Sequence, residues 1–344
     1  MGSRGNRSRI QRVLIIKIGA IGDVAMSLAL LSELKEAEVD WVSGKIPAPL
    51  ITATNRVRKQ ILVDEKKLFK GTLFEKIGEV LKVWKQLLFR SYDLILLCHP
   101  DRRFRLLSLP IRCKEERIFS PPSGVFHPEA YLDLLKKTKV EFPPLYCSLP
   151  EKLKPWVSPS PILIAPGGAR NSLRADLLRR WPIEHYAALI RALTAKGERI
   201  VLIGADNDRE VLPALQGLSF ESLIGETSLL ELVALLQKSR LLITHDSGPL
   251  HLARLAKCPT IALFGPTPPE VFARDCSHLL WGGEGLPCSP CYNGKSFAPC
   301  DHHLCMKRIT PQSVLSKVER ALSTEETLIP CMHGLESQVD SKPS

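Results

Sequence analysis

Two stretches of the chain, Arg12-Val13-Leu14-Ile15-Ile16-Lys17 and Arg240-Leu241-Leu242-Ile243, are short apolar runs that pass through a polar, glycine-bearing turn into a helical pattern. A run too short for a helix and apolar on both faces reads as a buried parallel strand, and parallel strands require crossover helices. The unit recurs at Val39 to Val42, Asp93 to Cys98, Pro161 to Ala165 and Arg199 to Gly204, with helical patterns at Val24 to Lys35, Tyr131 to Lys139, Ile183 to Lys196 and Glu231 to Lys238. The pattern restarts at Pro161, the last of six prolines in the stretch that begins at Glu141. The reading is an α/β chain of two Rossmann-like, doubly wound domains facing a central cleft: residues 1–155, residues 156–322, and a tail over 323–344.

In such sheets ligands bind beyond the carboxyl ends of the strands, so the turns carry the functional information. Asp246, Ser247 and Gly248 fall where a strand gives way to a helix N-terminus. Free backbone N–H groups point outward there, the dipole favours an anion, and Gly248 allows close approach. An ordinary capped helix is the alternative, since Asp and Ser are common N-caps. In the first turn the pattern is Gly19-x-x-Gly22-Asp23 and not G-x-G-x-x-G. A carboxylate there would repel a pyrophosphate, which argues against a dinucleotide cofactor; Asp23 is either a general base or a helix cap.

Charge separates the halves. Residues 1–155 hold 28 Lys plus Arg against 17 Asp plus Glu, and the remainder 19 against 19, so the net charge of +11 belongs to the first half. Lys66 and Lys67, within a run from Arg56 to Lys70, and Arg102 and Arg103, after a strand, mark an expected anion-facing surface. No apolar run reaches the roughly 18 residues a membrane span needs. Met1 to Arg12 is not read as a signal peptide, and the ten Cys are expected to be reduced thiols of a cytoplasmic protein.

Taken in order, Val13 to Lys17 with Gly19-x-x-Gly22-Asp23, then Arg179-Arg180-Trp181-Pro182, then His245-Asp246-Ser247-Gly248-Pro249-Leu250-His251 and Leu263-Phe264-Gly265-Pro266-Thr267 resemble the bacterial lipopolysaccharide heptosyltransferase family over about residues 12 to 322. The resemblance implies the GT-B fold and metal-independent, inverting transfer of a heptose from ADP-heptose to a lipid A–Kdo or inner-core acceptor. It assigns Asp23 as the base, Arg179 to the donor diphosphate where the family usually has Lys, Asp246 to sugar hydroxyls, and Ser247 and Gly248 to the diphosphate. His251, Gly168, Ala169 and Arg170 join that donor group, and Asp208 and Thr227 fall near its ribose and adenine. Lys17, Gly22, Lys66, Lys67, Arg102 and Arg103 are expected on the acceptor side.

The implied enzyme uses no cofactor beyond its nucleotide sugar. It meets an anionic lipid-linked acceptor by peripheral contact with the cytoplasmic face of the inner membrane, and works as a monomer without nucleic acid. Two features depart from the family pattern: a longer spacing from Gly167 to Arg179, and a group of Cys288, Cys291, Cys300 and Cys305 with His302 and His303 nearby. The Cys spacing raises a structural zinc, against which the metal-free reading is preferred. A GT-B transferase with another nucleotide sugar or acceptor is the alternative. A zinc-bearing nucleic-acid-binding protein is disfavoured, because aromatic residues do not interleave with the basic stretches.

Overall fold

In the computed structural model, which describes residues 10–120, 124–169, 176–276, 278–293 and 296–323, the apolar runs form two parallel sheets. The first contains β1 (Arg12–Ile16), β2 (Glu38–Gly44), β3 (Lys59–Val63), β4 (Ser91–Leu97) and β5 (Arg112–Ile118) in the order β3-β2-β1-β4-β5. The second contains β6 (Ile162–Ala165), β7 (Ile200–Leu202), β8 (Glu221–Ser222), β9 (Leu241–His245), β10 (Thr260–Phe264) and β11 (His278–Trp281) in the order β11-β10-β9-β6-β7-β8. In each sheet the first strand lies between its second and fourth, so strand order reverses there and leaves a crevice at the carboxyl edge. The crevices lie at the ends of β1 and β4, and of β6 and β9: the turns that sequence reading singled out.

The core has layers. One buried cluster covers the outer face of the first sheet with Val80, Val83, Leu87 and Phe104. Another covers the outer face of the second with Trp181, Tyr186, Leu189 and Val318. A third runs through both halves, joining Val24, Leu28 and Tyr131 to Val233, Leu252 and Ala253. The two sheets therefore share an apolar seam, which fixes one set of turns against the other.

Several expectations on elements need correction. The helix expected from Val24 to Lys35 begins at Ile21 and breaks into Ile21–Ser27 and Ala29–Glu33, so Asp23 lies in a helical first turn. The helix expected at Tyr131 to Lys139 is His127–Asp133, with Pro128 in its first turn where its missing N–H costs nothing. β3 and β5 were hidden in charged sequence, because edge strands need little apolar surface: β3 buries only Ile61 and Val63, and β5 buries none of its residues and is held by its ladder to β4. The closing helix, Pro311–Ser323, packs Val314, Leu315, Val318 and Ala321 into the outer core of the second domain. Among the described residues no helix is long and apolar enough to cross a membrane.

Candidate active site between the two sheets

Asp23 follows β1. The N-cap of its helix is Ala20, and no side chain makes a cap hydrogen bond, so capping does not explain the carboxylate. Its Oδ2 accepts from Lys17 Nζ at 3.1 Å, with the lysine side chain 1% exposed and Asp23 37% exposed. Burial pushes the Asp23 pKa up, but the Lys17 charge and hydrogen bond, with His127 and His251 adding to them, outweigh it and leave it below the ordinary carboxylate value. The carboxylate is thus ionised and open on one side, as a proton acceptor must be. Lys17, expected on the acceptor surface, directs its buried ammonium at Asp23 and acts through it.

The facing turns follow β6 and β9. Gly168 has φ +86°, and a Cβ there would stand 3.2 Å from Ser247 Cβ, so the two turns touch where only glycine fits. Ala169 is buried beside it with φ +57°. Arg170 lies outside the described residues. Asp208 is buried; one oxygen accepts from Gly168 N at 2.6 Å and the other from Ala205 N at 2.8 Å. It braces the glycine turn, and its oxygens are committed to backbone N–H groups and not offered to a ribose. Thr227 is half-buried, directly before the Ser228 cap of the helix Leu229–Leu236.

Asp246 and Ser247 are both about 4% exposed, yet neither side chain caps the helix Gly248–Ala256. Ser247 Oγ turns back to His245 O, and Asp246 Oδ2 pairs with Arg179 Nη1 at 3.4 Å. Pro249 has no N–H and Leu250 N donates to Ser247 O, so Gly248 N–H is the first-turn donor that the Ser247 side chain leaves uncapped, and a Cβ on Gly248 would meet open space. The capped-helix alternative fails: the stretch is a strand-to-helix turn whose N-terminus the Asp246 and Ser247 side chains do not cap. Arg179 Nε is buried without a partner. Arg180, by contrast, is engaged with Gly168 O, Glu210 and Asp208, which holds the turn.

The sheets meet at His251. It is 5% exposed, and its Nδ1 lies 3.0 Å from Arg254 Nη1. Burial and the Arg254 charge push its pKa down to about 3, so the ring is neutral. Arginine only donates, so Nδ1 accepts and the ring proton sits on Nε2. That Nε2 would be 3.1 Å from a Cβ on Gly22, and Cδ2 only 2.5 Å, so Gly22 is the clearance by which the Asp23 turn reaches the second sheet.

Sequence reading passed over His127, which follows no strand end. It stands edge-on to Phe119 of its own half and to Phe272 of the other. Its Nδ1 is buried without a partner. Burial and the Lys17 charge lower its pKa, opposed by the charges of Asp23 and Asp246. The signal available was the His-Pro pair opening a helix. His245 Nε2 and Thr267 Oγ1 are also buried without partners, so unanswered polar atoms collect around this one crevice.

The expected acceptor surface divides. Lys66, Lys67 and Arg102 are exposed. Arg103 is engaged bidentately by Asp101 and lies over the Phe69 ring. Arg58 and Arg90, part of the apparent basic excess, point inward to the fully buried Asp40, which also accepts from Tyr92. Cys288, Cys291, Cys300, Cys305, His302 and His303 line a cavity of about 50 Å³. Among the described residues no group of three or more His, Cys, Asp or Glu is arranged to hold a metal ion.

Residues 158–296 match the pattern of glycosyltransferase family 9 (heptosyltransferase). Over 161 residues the chain is 34% identical to lipopolysaccharide heptosyltransferase 2 of Escherichia coli strain K12, a match covering 43% of this chain and 44% of that relative, less than half its length. Over 286 residues it is 24% identical to lipopolysaccharide core heptosyltransferase OpsX of Haemophilus influenzae, covering 73% of this chain and 78% of that relative. The solved structure of the E. coli ADP-heptose lipopolysaccharide heptosyltransferase II shares the fold, with a TM-score of 0.70 at 20% identity over 91% of this chain and 98% of that one. The architecture is accordingly GT-B.

Proposed function

We propose that this chain, which belongs to glycosyltransferase family 9 (heptosyltransferase), moves a heptose from ADP-heptose to the inner core of a lipid A–Kdo type acceptor, with inversion and without a metal ion. One observation carries the reading. An ionised carboxylate on one sheet faces, across a closed seam, a helix N-terminus on the other that no side chain caps. In direct displacement Asp23 takes the acceptor hydroxyl proton as its oxygen bonds to the anomeric carbon, while the bond to the diphosphate breaks on the opposite side. Growing charge on the leaving phosphate meets Arg179 and the N–H groups at Ser247 and Gly248, donors already in position before reaction.

Lys17 keeps Asp23 ionised. Asp246, beside Arg179, accepts from sugar hydroxyls, and the neutral His251 presents Nε2–H to the same space. The apolar seam excludes water, which strengthens each of these interactions. The acceptor is anchored in a bilayer, so the enzyme works at the cytoplasmic face of the inner membrane by peripheral contact, as a monomer.

Replacement Asp23→Ala tests the assignment: transfer is abolished while ADP binding, followed by calorimetry, persists. Loss of ADP binding would sink the role given to Asp23. The donor is tested by melting the protein with ADP, UDP or GDP, since a ligand of the folded state raises the transition by mass action. A shift with UDP or GDP and none with ADP refutes the ADP-heptose reading.

A further inference from the structure

The helix Leu73–Leu87 buries Val80, Val83 and Leu87 against the first sheet. Its apolar arc does not stop there. Phe74 is 85% exposed, Leu73 69% and Leu81 52%, with Ile77 between them. At about 100° per residue these four fall within an arc of roughly 100° that directly adjoins the buried one, on a flank of the helix that would ordinarily carry polar residues. Trp84 Nε1 donates to Leu106 O, tying this helix to Arg102–Ser108, and Leu106 and Leu109 extend the exposed apolar surface.

The surface is rimmed by cations. Between residues 64 and 89 there are six Lys (66, 67, 70, 76, 82, 85) against four acids (64, 65, 75, 79). Three of those acids are engaged by backbone: Asp64 caps Lys67, Glu75 closes a capping box with Thr72, and Glu79 accepts from Asp64 N. Among the described residues Lys66, Lys85 and Arg102 have no carboxylate partner.

We infer that this face docks on an anionic lipid bilayer. Phe and Leu side chains enter the interface between headgroups and acyl chains, while the lysines keep their ammonium groups among the lipid phosphates. A second copy of the chain would set this cationic rim against itself. The inference takes its bilayer from the lipid-anchored acceptor proposed above and adds where contact is made. The position suits that acceptor. Glu65, at the start of the preceding helix, packs on Gly19 and Gly44, so the patch begins at the same sheet edge as Asp23.

The test is co-sedimentation of the full chain with vesicles of phosphatidylethanolamine and phosphatidylglycerol, against vesicles of phosphatidylcholine alone. Wild type sediments with the first, and less so as salt is raised. The double variant Phe74→Ser, Leu81→Ser loses roughly tenfold or more in partitioning, and Lys85→Glu about fivefold or more. Both keep their melting temperature and full transfer to a water-soluble inner-core oligosaccharide without acyl chains. The inference is overturned if wild type ignores anionic vesicles, if the variants bind them as well as wild type, or if sedimentation shows a dimer that Phe74→Ser dissolves. Failure of transfer to the soluble acceptor by wild type would instead refute the transferase reading, and vesicle binding reports independently of it.

Discussion

Lys17→Met isolates the charge that keeps Asp23 ionised. The ammonium and carboxylate are 3.1 Å apart, and two unit charges at that distance interact by about 5 kcal/mol at an effective dielectric near 20 and about 1.3 kcal/mol in bulk water. Asp23 is 37% exposed, so solvent screens the pair and a value of roughly 1.5–3 kcal/mol applies. That corresponds to about 1–2 pKa units. The histidines do not replace the lost charge: His251 is held near 3 and His127 below its ordinary value, so both are neutral around pH 7.

The sign follows from which form reacts. Only the carboxylate accepts a proton, and in the wild type its pKa is lowered, so kcat/KM stays level as pH falls into the ordinary carboxylate range. Without Lys17 the effect of burial is opposed only by His127 and His251, and the acid limb of kcat/KM moves up by about 1–2 units, with much of the activity kept above it. A pH series of kcat/KM for heptose transfer from ADP-heptose reads this directly. An unmoved acid limb, or a loss of equal size at every pH, would falsify the argument and make Lys17 a substrate contact or a packing residue.

Other consequences are open to simple measurement. His127→Phe preserves the ring contacts with Phe119 and Phe272 but removes the unanswered Nδ1, so the melting temperature holds while kcat falls by roughly tenfold, the value of one hydrogen bond. A large fall in melting temperature would make His127 scaffolding. Gly22→Ala places a methyl 2.5 Å from His251 Cδ2; forcing the seam apart costs about 1–3 kcal/mol in urea unfolding and depresses transfer as well. Asp40→Ala strands Arg58 and Arg90 at the opposite end of the first sheet. Both arginines are about a third or more exposed and can turn to water, so the loss is that of their hydrogen bonds and of the Tyr92 acceptor, about 1–3 kcal/mol, with the ADP affinity of the folded protein unchanged.

The readings that held share one property: each rests on neighbours in sequence. The apolar run before Asp246, the small residues at Gly168 and Gly248, and the alternation of strand and helix are written within a few residues, and backbone geometry follows from them locally. The readings that shifted concern partners. Asp208 had the right position for a ribose contact but is tied to the backbone of Gly168, 40 residues away. Arg58 and Arg90 counted as surface charge until Asp40, 18 and 50 residues distant, took them inward. β3 and β5 were obscured because edge strands carry charge on their open side.

The sequence by itself determined that the chain folds as two parallel sheets with their turns at the carboxyl edges, because strand, turn and crossover helix are specified by local periodicity and by glycine where no Cβ fits. Only the tertiary structure decided which ionisable groups those turns contain in working form. The Lys17 to Asp23 pair, the neutral His251 with its proton on Nε2, and the unpartnered His127 Nδ1 all depend on burial and on the charged groups packed around them. Both are set by the apolar seam, where side chains distant along the chain are brought within a few ångströms and removed from water.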